Sequence, residues 1–496
     1  MKYTALINNI KFEFSKTMLL SDILIASGVT FSLPCGGNGT CGKCKVTAAG
    51  LLEPLTAAES KKLTESEING NVRLACMAKA VGDVCISYET TDIHVQDTGY
   101  SKEFVIDNPY KSGIIIDIGT TTIAARLYQN SQLLKTVTGL NEQSKFGADV
   151  ISRIDYAITG GRDLVFETIT GQLSDMIFEL GCPDPEILVI TGNTTMLHFL
   201  MNLDARGIAV SPFIPQSLFG GFYDVIGHKA YIPKCISAYV GADITCGILA
   251  SGMLERDESS ILVDMGTNGE MAYFGGSEKV LKTASTAAGP AFEGAGIFMG
   301  IPANEGAINK VYVENGKIKY TTINSSKPVG ICGSGLIDCI AVMLSEGILD
   351  ETGIINDFGH KHLDIITEQD DKPAFMIGDS GVIITSKDIR QIQLAKSAIK
   401  SGILTLLEGE RVDTLYIAGG FGAYINIENA EIIGLIPKGV YKETKILGNS
   451  ALTGASLIFL SENELSKSEK ISEAATTTEL SANPDFMDYY VDNMFF

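Results

Sequence analysis

Several common features are absent from this chain of 496 residues, and each absence excludes a class of protein. No run of 18 or more apolar residues occurs, so we expect no membrane-spanning helix and no membrane partner. Residues 1–14 lack the charged region, apolar core and cleavage site of a secretory signal, so we expect a cytoplasmic protein. Positive charge is scarce, with 38 Lys and Arg against 59 Asp and Glu, and the net charge of -21 argues against a nucleic-acid partner.

Two familiar nucleotide signatures are missing as well. No strand-to-helix turn carries the GxGxxG pattern of dinucleotide-binding folds, and no Gly-Lys-Ser or Gly-Lys-Thr of a P-loop occurs. What is present is a globular composition, 45% hydrophobic and 20% charged with 52 Gly and 14 Pro, which excludes disorder for most of the chain. At about 100–200 residues per domain, the length predicts about three folded units.

Charge composition and the pattern of apolar residues divide the chain into a small first unit, a linker and a larger second unit. Residues 1–90 hold 9 Lys and Arg against 8 Asp and Glu, which leaves 29 against 51 for the remainder. We predict a small α+β unit over residues 1–92 and a linker over 93–111, which has no helical or strand period. Residues 112–462 alternate short apolar strands with helices, which predicts α/β architecture. Residues 463–496 begin charged and end in apolar side chains, so we expect them to dock onto the larger unit.

A glycine-rich loop carries the cysteine pattern of the first unit. It reads LPCGGNGTCGKCKV at residues 33–46 and gives C-x5-C-x2-C, with a fourth thiol after 31 more residues: Cys35, Cys41, Cys44 and Cys76. Four thiolates in this order suit a [2Fe-2S] cluster, whose sulfurs the glycine backbone can approach with its N–H groups. Zinc is the alternative, although a zinc ribbon normally offers two C-x2-C pairs. Cys85 is predicted to be a core thiol.

Two similar strand-turn-strand segments lie about 147 residues apart. The first reads IIIDIGTTTIAARLY at residues 114–128 and the second ILVDMGTNGEMAYF at residues 261–274. Each turn offers N–H groups and hydroxyls to phosphate oxygens, and its Asp can hold Mg2+ through water. The predicted site residues are Asp117, Gly119, Thr120, Thr121, Thr122, Asp264, Gly266, Thr267 and Asn268.

A third glycine turn, LYIAGGFGAY at residues 415–424, follows another apolar strand. Its residues Gly419, Gly420 and Gly422 leave space for a nucleobase and ribose. Two other patterns favour structural roles. Asp149 and Arg153, four residues apart on a helix, predict a surface ion pair, and His198 on a helix predicts a structural histidine.

These motifs resemble two families. The cysteine loop and RLACMAK around Cys76 resemble [2Fe-2S] ferredoxins, which implies a β-grasp fold. Residues 113–462 resemble the acetate and sugar kinase, heat-shock chaperone and actin superfamily, which implies a two-lobed ATPase with ribonuclease H-like lobes. By that resemblance Asp243 faces the γ-phosphate as base or water-orienting group, with a helix N-cap as the alternative. Gly333, Ser334 and Gly335, in ICGSGLIDCIAV, then lie close to nucleotide, with helix-start packing as the alternative.

Nearly the whole chain resembles a third family, the reductive activators of corrinoid enzymes. The specific strings are GNTTMLHFL at 192–200, AAGPAFEGAGI at 287–297 and DFMDYYVDNMFF at 485–496. The resemblance implies transfer of one electron from a [2Fe-2S] cluster to an inactive Co(II) corrinoid protein, driven by ATP with Mg2+, which regenerates Co(I) for anaerobic methyl transfer. It also implies a low-potential electron donor, a partner corrinoid protein of a methyltransferase system, and a loop at 285–296 that faces the corrinoid.

Other functions stay open on sequence grounds. Longer members of the resembled family carry an additional middle domain where this chain has about 20 residues, so how the first unit reaches the corrinoid is open. The alternative enzyme is a small-molecule kinase with an appended redox-sensing ferredoxin domain, which would form ADP only with an acceptor. The non-enzymatic alternative is an electron-transfer module that binds nucleotide without turnover. The sequence does not decide between a monomer and a homodimer.

Overall fold

The computed structural model describes residues 2–8, 10–27, 37, 39, 42, 44–88, 102–359, 361–420 and 424–496. Within these ranges no helix combines the length and the apolar character needed to cross a bilayer. The described residues form a small N-terminal unit and two larger α/β lobes.

The N-terminal unit is a mixed sheet with a short helix packed on it. Its strand order is β2-β1-β6-β4-β5, with β3 beside β6 and with β1 and β6 parallel. Helix α1 buries Leu20, Ile23 and Leu24, which gives the unit its own core. The elements are β1 (Tyr3–Ile7), β2 (Ile10–Phe14), β3 (Met18–Leu19), α1 (Leu20–Ala26), β4 (Lys45–Leu52), α2 (Ala57–Lys62), α3 (Glu65–Asn69), β5 (Val72–Leu74) and β6 (Lys79–Ser87).

Strand β6 overturns one prediction. Burial alternates strictly along this strand, as expected for a strand with one face on the core. Val84 and Ile86 point into the core, so Cys85 between them is exposed. The prediction of a core thiol at Cys85 is therefore wrong.

The first lobe is a six-stranded sheet in the order β11-β12-β10-β7-β8-β9. Strands β7, β8 and β9 are antiparallel, while β10 runs parallel to β7. Its elements are β7 (Ser112–Ile118), β8 (Thr122–Gln129), β9 (Gln132–Leu140), α4 (Val150–Tyr156), α5 (Arg162–Leu180), β10 (Ile187–Gly192), α6 (Thr194–Leu200), α7 (Arg206–Ala209), β11 (Gly221–Val225) and β12 (His228–Ile232).

The second lobe has a sheet in the order β23-β22-β13-β14-β15-β24 and two small three-stranded sheets. Its elements, with the preceding helix, are α8 (Ala242–Ser251), β13 (Ser260–Met265), β14 (Gly269–Phe274), β15 (Leu281–Thr286), β16 (Ala307–Glu314), β17 (Lys317–Thr322), β18 (Gly330–Ile331), α9 (Gly333–Ser345), β19 (Ile366–Gln369), β20 (Lys372–Met376), β21 (Ile383–Thr385), α10 (Ser386–Leu407), β22 (Val412–Ala418), α11 (Ile427–Ile432), β23 (Tyr441–Gly448), α12 (Ser450–Leu460), α13 (Glu462–Ala474), β24 (Ala475–Thr477) and α14 (Pro484–Asp492).

The two large sheets repeat one topology. In each, three consecutive strands form an antiparallel meander, β7-β8-β9 or β13-β14-β15, and the first of the three pairs in parallel with a later strand, β10 or β22. The predicted phosphate turns are the first hairpin turns of the two meanders, so they occupy equivalent places. The prediction of two α/β lobes is confirmed.

Helices α8 and α12 join the lobes. They pack against each other within a core shared by both sheets. A Cβ atom at Gly454 would lie 2.0 Å from the backbone oxygen of Cys246, so this crossing is closer than a side chain allows. Because α8 starts beside Asp243 and α12 starts after Asn449, the crossing fixes two residues that reach the space between the lobes.

Residues 102–111, the described part of the predicted linker, lie on the large unit. Lys102 is buried and its Nζ is 2.5 Å from Glu464 Oε2 on α13. The backbone N–H of Asp107 donates to Leu460 O, and the Asp107 carboxylate accepts from the N–H of Glu462. The segment therefore has no regular secondary structure but a defined position.

The C-terminal residues complete the second lobe. Strand β24 pairs in parallel with β15 at the edge of the sheet, which the sequence pattern did not predict. Helix α14 packs on α10, and Phe486 belongs to the lobe's hydrophobic core. The apolar end of the chain is thus held by packing on the second lobe.

Two glycine substitutions test the helix crossing. We expect Gly454→Ala to lower the stability of the protein by about 1–3 kcal/mol, because the added methyl group overlaps the α8 backbone. Gly171→Ala is the matched control: Gly171 lies on the exposed side of α5 with open space around it, so the change should raise stability by up to about 1 kcal/mol. Thermal denaturation followed by circular dichroism measures both. Equal melting temperatures for the two variants would contradict the close crossing.

Candidate functional site

A cavity of about 540 Å3 lies between the lobes and gathers the predicted nucleotide residues. The described residues predicted to lie at the nucleotide or to act in catalysis line it, with one exception: Asp117, Gly119, Thr120, Thr121, Thr122, Asp243, Asp264, Gly266, Thr267, Asn268, Gly333, Ser334, Gly419 and Gly420. The exception is Gly335, which is buried in α9, where a Cβ atom would lie 2.1 Å from Ile308 O. The remaining one, Gly422, lies outside the described residues. The structure thus brings together residues up to about 300 positions apart, while their binding roles stay predictions.

The first turn, between β7 and β8, is tight, and buried side chains form hydrogen bonds to it. The N–H of Gly119 donates to Thr122 O at 3.0 Å, and a Cβ atom at Gly119 would approach that oxygen to 2.6 Å, so only glycine fits. Asn141, which is buried, donates from Nδ2 to Gly119 O at 2.8 Å. Asn193, at the start of α6, donates to Thr120 Oγ1 at 3.0 Å.

Arg153 also supports this turn, which corrects a prediction. The expected surface ion pair with Asp149 is wrong, because Arg153 is buried and donates to backbone carbonyls, from Nη2 to Thr120 O at 2.6 Å and from Nε to Gly147 O at 2.9 Å. Burial lowers its pKa to about 10. Asp149 instead caps α4 by accepting from the N–H of Ser152.

The second turn meets the third. The N–H of Gly266 donates to Asn268 O at 3.0 Å, which closes the turn after β13. Gly419, at the end of β22, has φ +100°, and a Cβ atom there would lie 2.3 Å from Met265 O and 3.0 Å from the Asp264 carboxylate. Gly419 therefore fits directly against the end of β13, beside Asp264 and Met265.

Asp243 is not the helix N-cap that was the alternative to a catalytic role. The N-cap of α8 is Gly241, which makes no side-chain cap, and Asp243 lies within the first turn, where its Oδ1 accepts from the N–H of Ile244. The residue is half-buried and lines the cavity. The N-cap alternative is therefore wrong, and a role in the cavity stays a prediction.

The carboxylates of the cavity have raised pKa values, because they are removed from water and, in three of the four cases that follow, lie near other carboxylates. Burial, opposed by a hydrogen bond from Asn449 Nδ2 at 2.9 Å, raises the pKa of Asp117 to about 6. Burial and the charge of Asp117 raise the pKa of Asp264 to about 7. Burial and the charges of both neighbours raise the pKa of Asp243 to about 8. Glu270, opposite Asp264 in the β13–β14 pair, has its pKa raised well above its usual value by burial, Asp243 and Asp264.

Glu293 links the two phosphate turns. Its Oε2 accepts hydrogen bonds from Thr121 Oγ1 at 2.9 Å and from Thr267 Oγ1 at 2.8 Å, one hydroxyl from each lobe. Burial raises the pKa of this carboxyl. Glu293 ends the short 3-10 helix Pro290–Glu293, so the loop at 285–296 reaches the cavity.

The described part of the cysteine pattern brings two distant thiols together. Cys44 and Cys76 are buried, and their sulfurs lie 3.1 Å apart. The three described loop glycines, Gly37, Gly39 and Gly42, all have positive φ, as a backbone wrapped closely around a group requires. Cys35 and Cys41 lie outside the described residues. The cysteine thiols are of the residue type that binds an iron-sulfur cluster, and the short distance between the Cys44 and Cys76 sulfurs fits such a site.

His198 has a structural role. Its imidazole is fully buried, with Nδ1 2.7 Å from Thr194 O and with Nε2 accepting from the N–H of Ser217 at 3.3 Å. Both ring nitrogens are engaged by backbone groups, so the ring is neutral and Nδ1 donates. Burial lowers its pKa, in keeping with that state.

Sequence reasoning missed several cavity residues. Asn449 had a usable signal, since an Asn before an apolar helix is a common N-cap, and it does cap α12. Glu270 could have been found from β-strand pairing opposite Asp264. Glu293 carried no local signal, because its contacts come from hairpins 172 and 26 positions away.

Comparison with known families covers the two lobes. A model of the RACo middle region matches residues 112–256. A model described as the C-terminal domain of RACo, the ASKHA domain, matches residues 258–496. The two lobes are thus similar to consecutive regions of the proteins in one family.

Individual relatives extend the similarity to nearly the whole chain. The corrinoid activation enzyme RamQ of Eubacterium limosum is 31% identical over 596 aligned positions, which cover 98% of this chain and 97% of the relative. A reductase of the Co(II) methylated amine-specific corrinoid protein from Methanosarcina barkeri is 26% identical and covers 76% of each chain. The solved structure of a reductive activator for corrinoid, iron-sulfur protein is 29% identical, with a TM-score of 0.72 over 99% of this chain and 98% of that one.

Two further observations concern a ferredoxin relative and the length of RamQ. The 2Fe-2S ferredoxin-5 of Aquifex aeolicus is 36% identical over 84 residues, which cover 16% of this chain and 88% of that ferredoxin. The alignment with RamQ is longer than this chain, so that relative has at least 100 positions without a counterpart here.

The raised pKa values predict a pH dependence of stability. Folded Asp117, Asp264 and Asp243 bind protons more tightly than unfolded Asp, so their contribution to stability is present at acid pH and is lost as pH rises through about 6 to 8. We expect the melting temperature of the nucleotide-free protein to fall from pH 6 to pH 8. Asp243→Asn should flatten this fall and raise stability at pH 8 by about 2 kcal/mol, because a neutral amide replaces a buried carboxylate.

The control for this prediction is Asp175→Asn on the exposed face of α5, which makes the same chemical change outside the cavity. Its melting curves should parallel those of the wild type at every pH. Parallel curves for Asp243→Asn would show that Asp243 does not carry the proton linkage.

Proposed function

The chain belongs to the RACo family of reductive activators of corrinoid proteins, and from this premise we propose an ATP-dependent reduction of a corrinoid protein. The protein would pass one electron from a [2Fe-2S] cluster to an inactive Co(II) corrinoid protein and regenerate Co(I). The observation that carries the proposal is the union of a cysteine loop and a cleft with two matching Asp-x-Gly-Thr turns in one chain. An electron carrier and a nucleotide cleft together indicate an electron step assisted by ATP.

The relatives support the direction of the reaction. Two of them are named for the activation of corrinoid proteins, and the Methanosarcina protein is named as a reductase of the Co(II) state. We extend that activity to this chain, with a corrinoid protein of a methyltransferase system as partner and a low-potential carrier as electron donor. We also propose the division into units 1–92, 93–111, 112–462 and 463–496, with the β-grasp and ribonuclease H-like folds that the resemblance implies.

Cys35, Cys41, Cys44 and Cys76 would hold the cluster. When bound, the [2Fe-2S] cluster supplies one electron at a time, which reduces Co(II) of the partner to Co(I) and is replaced by the low-potential donor. The protein's contribution is to bury two of the proposed ligand sulfurs, those of Cys44 and Cys76. The buried ion pair of Arg73 with Glu59, at 2.8 Å, holds α2 against the strand that leads to Cys76.

The cleft would hold ATP with Mg2+. Four cavity carboxylates with raised pKa values, those of Asp117, Asp243, Asp264 and Glu270, favour a divalent cation or protons among them. Asp117 and Asp264 would hold the cation through water, while the two turns bind phosphate oxygens. Asp243 would orient or deprotonate the attacking water, and a pKa near neutral suits a general base.

The free energy that ATP would have to supply for the electron step is modest. An electron step that is uphill by about 100 mV costs about 2.3 kcal/mol, which lies within the usual range of coupling between two sites in a protein. ATP need only favour the docked, reducing state over the released one. The lobes can provide such a difference, because each contributes one turn to the same nucleotide site.

Glu293 gives this coupling a physical route. Its carboxylate occupies the acceptor position between Thr121 and Thr267, the two hydroxyls assigned to phosphate. A bound phosphate group would displace the carboxylate, or require its protonation, because like charges repel. The position of the loop at 285–296 would then depend on whether nucleotide is bound. By the family resemblance, this loop faces the corrinoid of the partner protein.

The central test is anaerobic reduction of a purified Co(II) corrinoid protein with a low-potential reductant, with and without ATP. We expect the absorbance of Co(I) to appear faster and more completely with ATP. Cys76→Ser should abolish the reduction but leave ATP binding intact, and Asp264→Asn should remove the effect of ATP but leave the cluster spectrum intact. Equal Co(I) formation without ATP would refute the ATP dependence, and ADP formation only with an added sugar or carboxylate would favour the kinase alternative.

Substitution of Glu293 tests the coupling. We expect Glu293→Gln to bind a slowly hydrolysed ATP analogue with Mg2+ about tenfold more tightly, because the charge that competes with phosphate is gone. Glu305→Gln is the matched control, since it removes the same charge from an exposed side chain 12 positions away and should leave the affinity unchanged. Isothermal titration calorimetry measures both. A weaker affinity in Glu293→Gln would mean that the carboxylate assists binding and does not compete.

A further inference from the structure

Asn304 is a buried amide without a hydrogen-bond partner at the edge of the nucleotide cavity. Its side chain is 5% exposed and lines the cavity, and neither Oδ1 nor Nδ2 has a partner in the part of the chain that the structure describes. Its backbone, in contrast, is satisfied on both sides: the N–H donates to Pro302 O at 2.8 Å, and the carbonyl accepts from the N–H of Ala307 at 3.0 Å. The main chain at Asn304 is therefore fixed by hydrogen bonds, and the side-chain amide alone is left without a partner among the described residues.

Such an arrangement is unfavourable in the empty protein. Buried side-chain amides are almost always hydrogen bonded, because removing them from water without a partner costs free energy. A ligand with both a donor and an acceptor would remove the cost. A phosphate group would engage only Nδ2, since it offers acceptors alone.

The surroundings of Asn304 differ from the charged part of the cavity. Ile301, Pro302 and Ile323 line the cavity near it in sequence and provide apolar surface, and the neighbouring polar lining residues Asn309, Thr322 and Asn324 carry no charge. The two glycine-threonine turns, with Asp117, Asp264 and Glu270, come from the hairpins β7–β8 and β13–β14 instead. Apolar surface beside an unpartnered amide suits a flat heteroaromatic ring, whose faces need packing and whose edge needs hydrogen bonds.

We propose that Asn304 recognises the adenine edge of the bound nucleotide. Its Oδ1 would accept from the exocyclic amine and its Nδ2 would donate to the adjacent ring nitrogen, the bidentate pattern by which Asn binds adenine. This inference rests on the proposed function, because it assigns a base to the same cleft. It adds a specificity residue in a loop outside all three glycine turns.

The experiment compares ATP with purine riboside triphosphate, which lacks the exocyclic amine, using calorimetric titration of the full-length protein with Mg2+. The wild type should bind ATP about tenfold more tightly, because only ATP completes the pair of hydrogen bonds. In Asn304→Leu the two affinities should become equal, while 2′-deoxy-ATP keeps its wild-type ratio to ATP. Asn309→Leu is the matched control: Asn309 also lines the cavity, but its Oδ1 already accepts from Thr321 Oγ1 at 2.9 Å.

Each outcome decides a different point. A wild type that binds neither triphosphate would refute the proposed nucleotide site itself. A wild type that binds both equally would overturn the role of Asn304 and leave the nucleotide site standing, and this comparison requires no variant to fold. A change in the 2′-deoxy-ATP ratio of Asn304→Leu would place the amide on the ribose and would also overturn the proposal.

Discussion

Five carboxylates that share one cleft are the constraint on which the rest of this structure depends. Asp117, Asp243, Asp264, Glu270 and Glu293 all line the cavity, and its described lining contains no Lys or Arg. Removal from water raises the pKa of all five, and like charges add to this for Asp243, Asp264 and Glu270. Part of the chain's acidic content therefore lies in the cleft, where a bound cation would offset the repulsion between these carboxylates.

The fold meets this constraint by using one topology twice. In each lobe an Asp is the next-to-last residue of a central strand, β7 or β13, and the chain then turns back through a glycine, so the two turns face each other across the cleft. Small residues then allow backbones to meet: Gly419 fits against the strand of Asp264, and Gly454 lets α12 cross α8. Because these two helices lead directly to Asn449 and Asp243, the packing that joins the lobes also fixes the side chains of the site.

The parts that the sequence predicted are those with local signals. Both hairpins and the strand before the third turn follow from runs of apolar residues that lead into glycine turns, and the structure has them at those positions. Arg153 and Asp149 have the spacing of an ion pair, but tertiary packing buries the arginine under Thr120. Glu293 and Asn304 lack any pattern of their own, because what makes them functional candidates is the contact or missing contact with residues that the fold brings near.

The anchor of residues 102–111 sets a limit on the proposed electron transfer. Strand β6 ends at Ser87, and Lys102 is held on α13 by a buried ion pair, so 14 residues connect the two units. Even fully extended, such a segment spans about 50 Å at most. Ser87 can therefore lie no farther than that from Lys102, and the cysteine loop lies beyond Ser87 by no more than the width of the N-terminal unit. For the proposed reduction, this means that an electron acceptor would have to approach the N-terminal unit within that radius of the large unit.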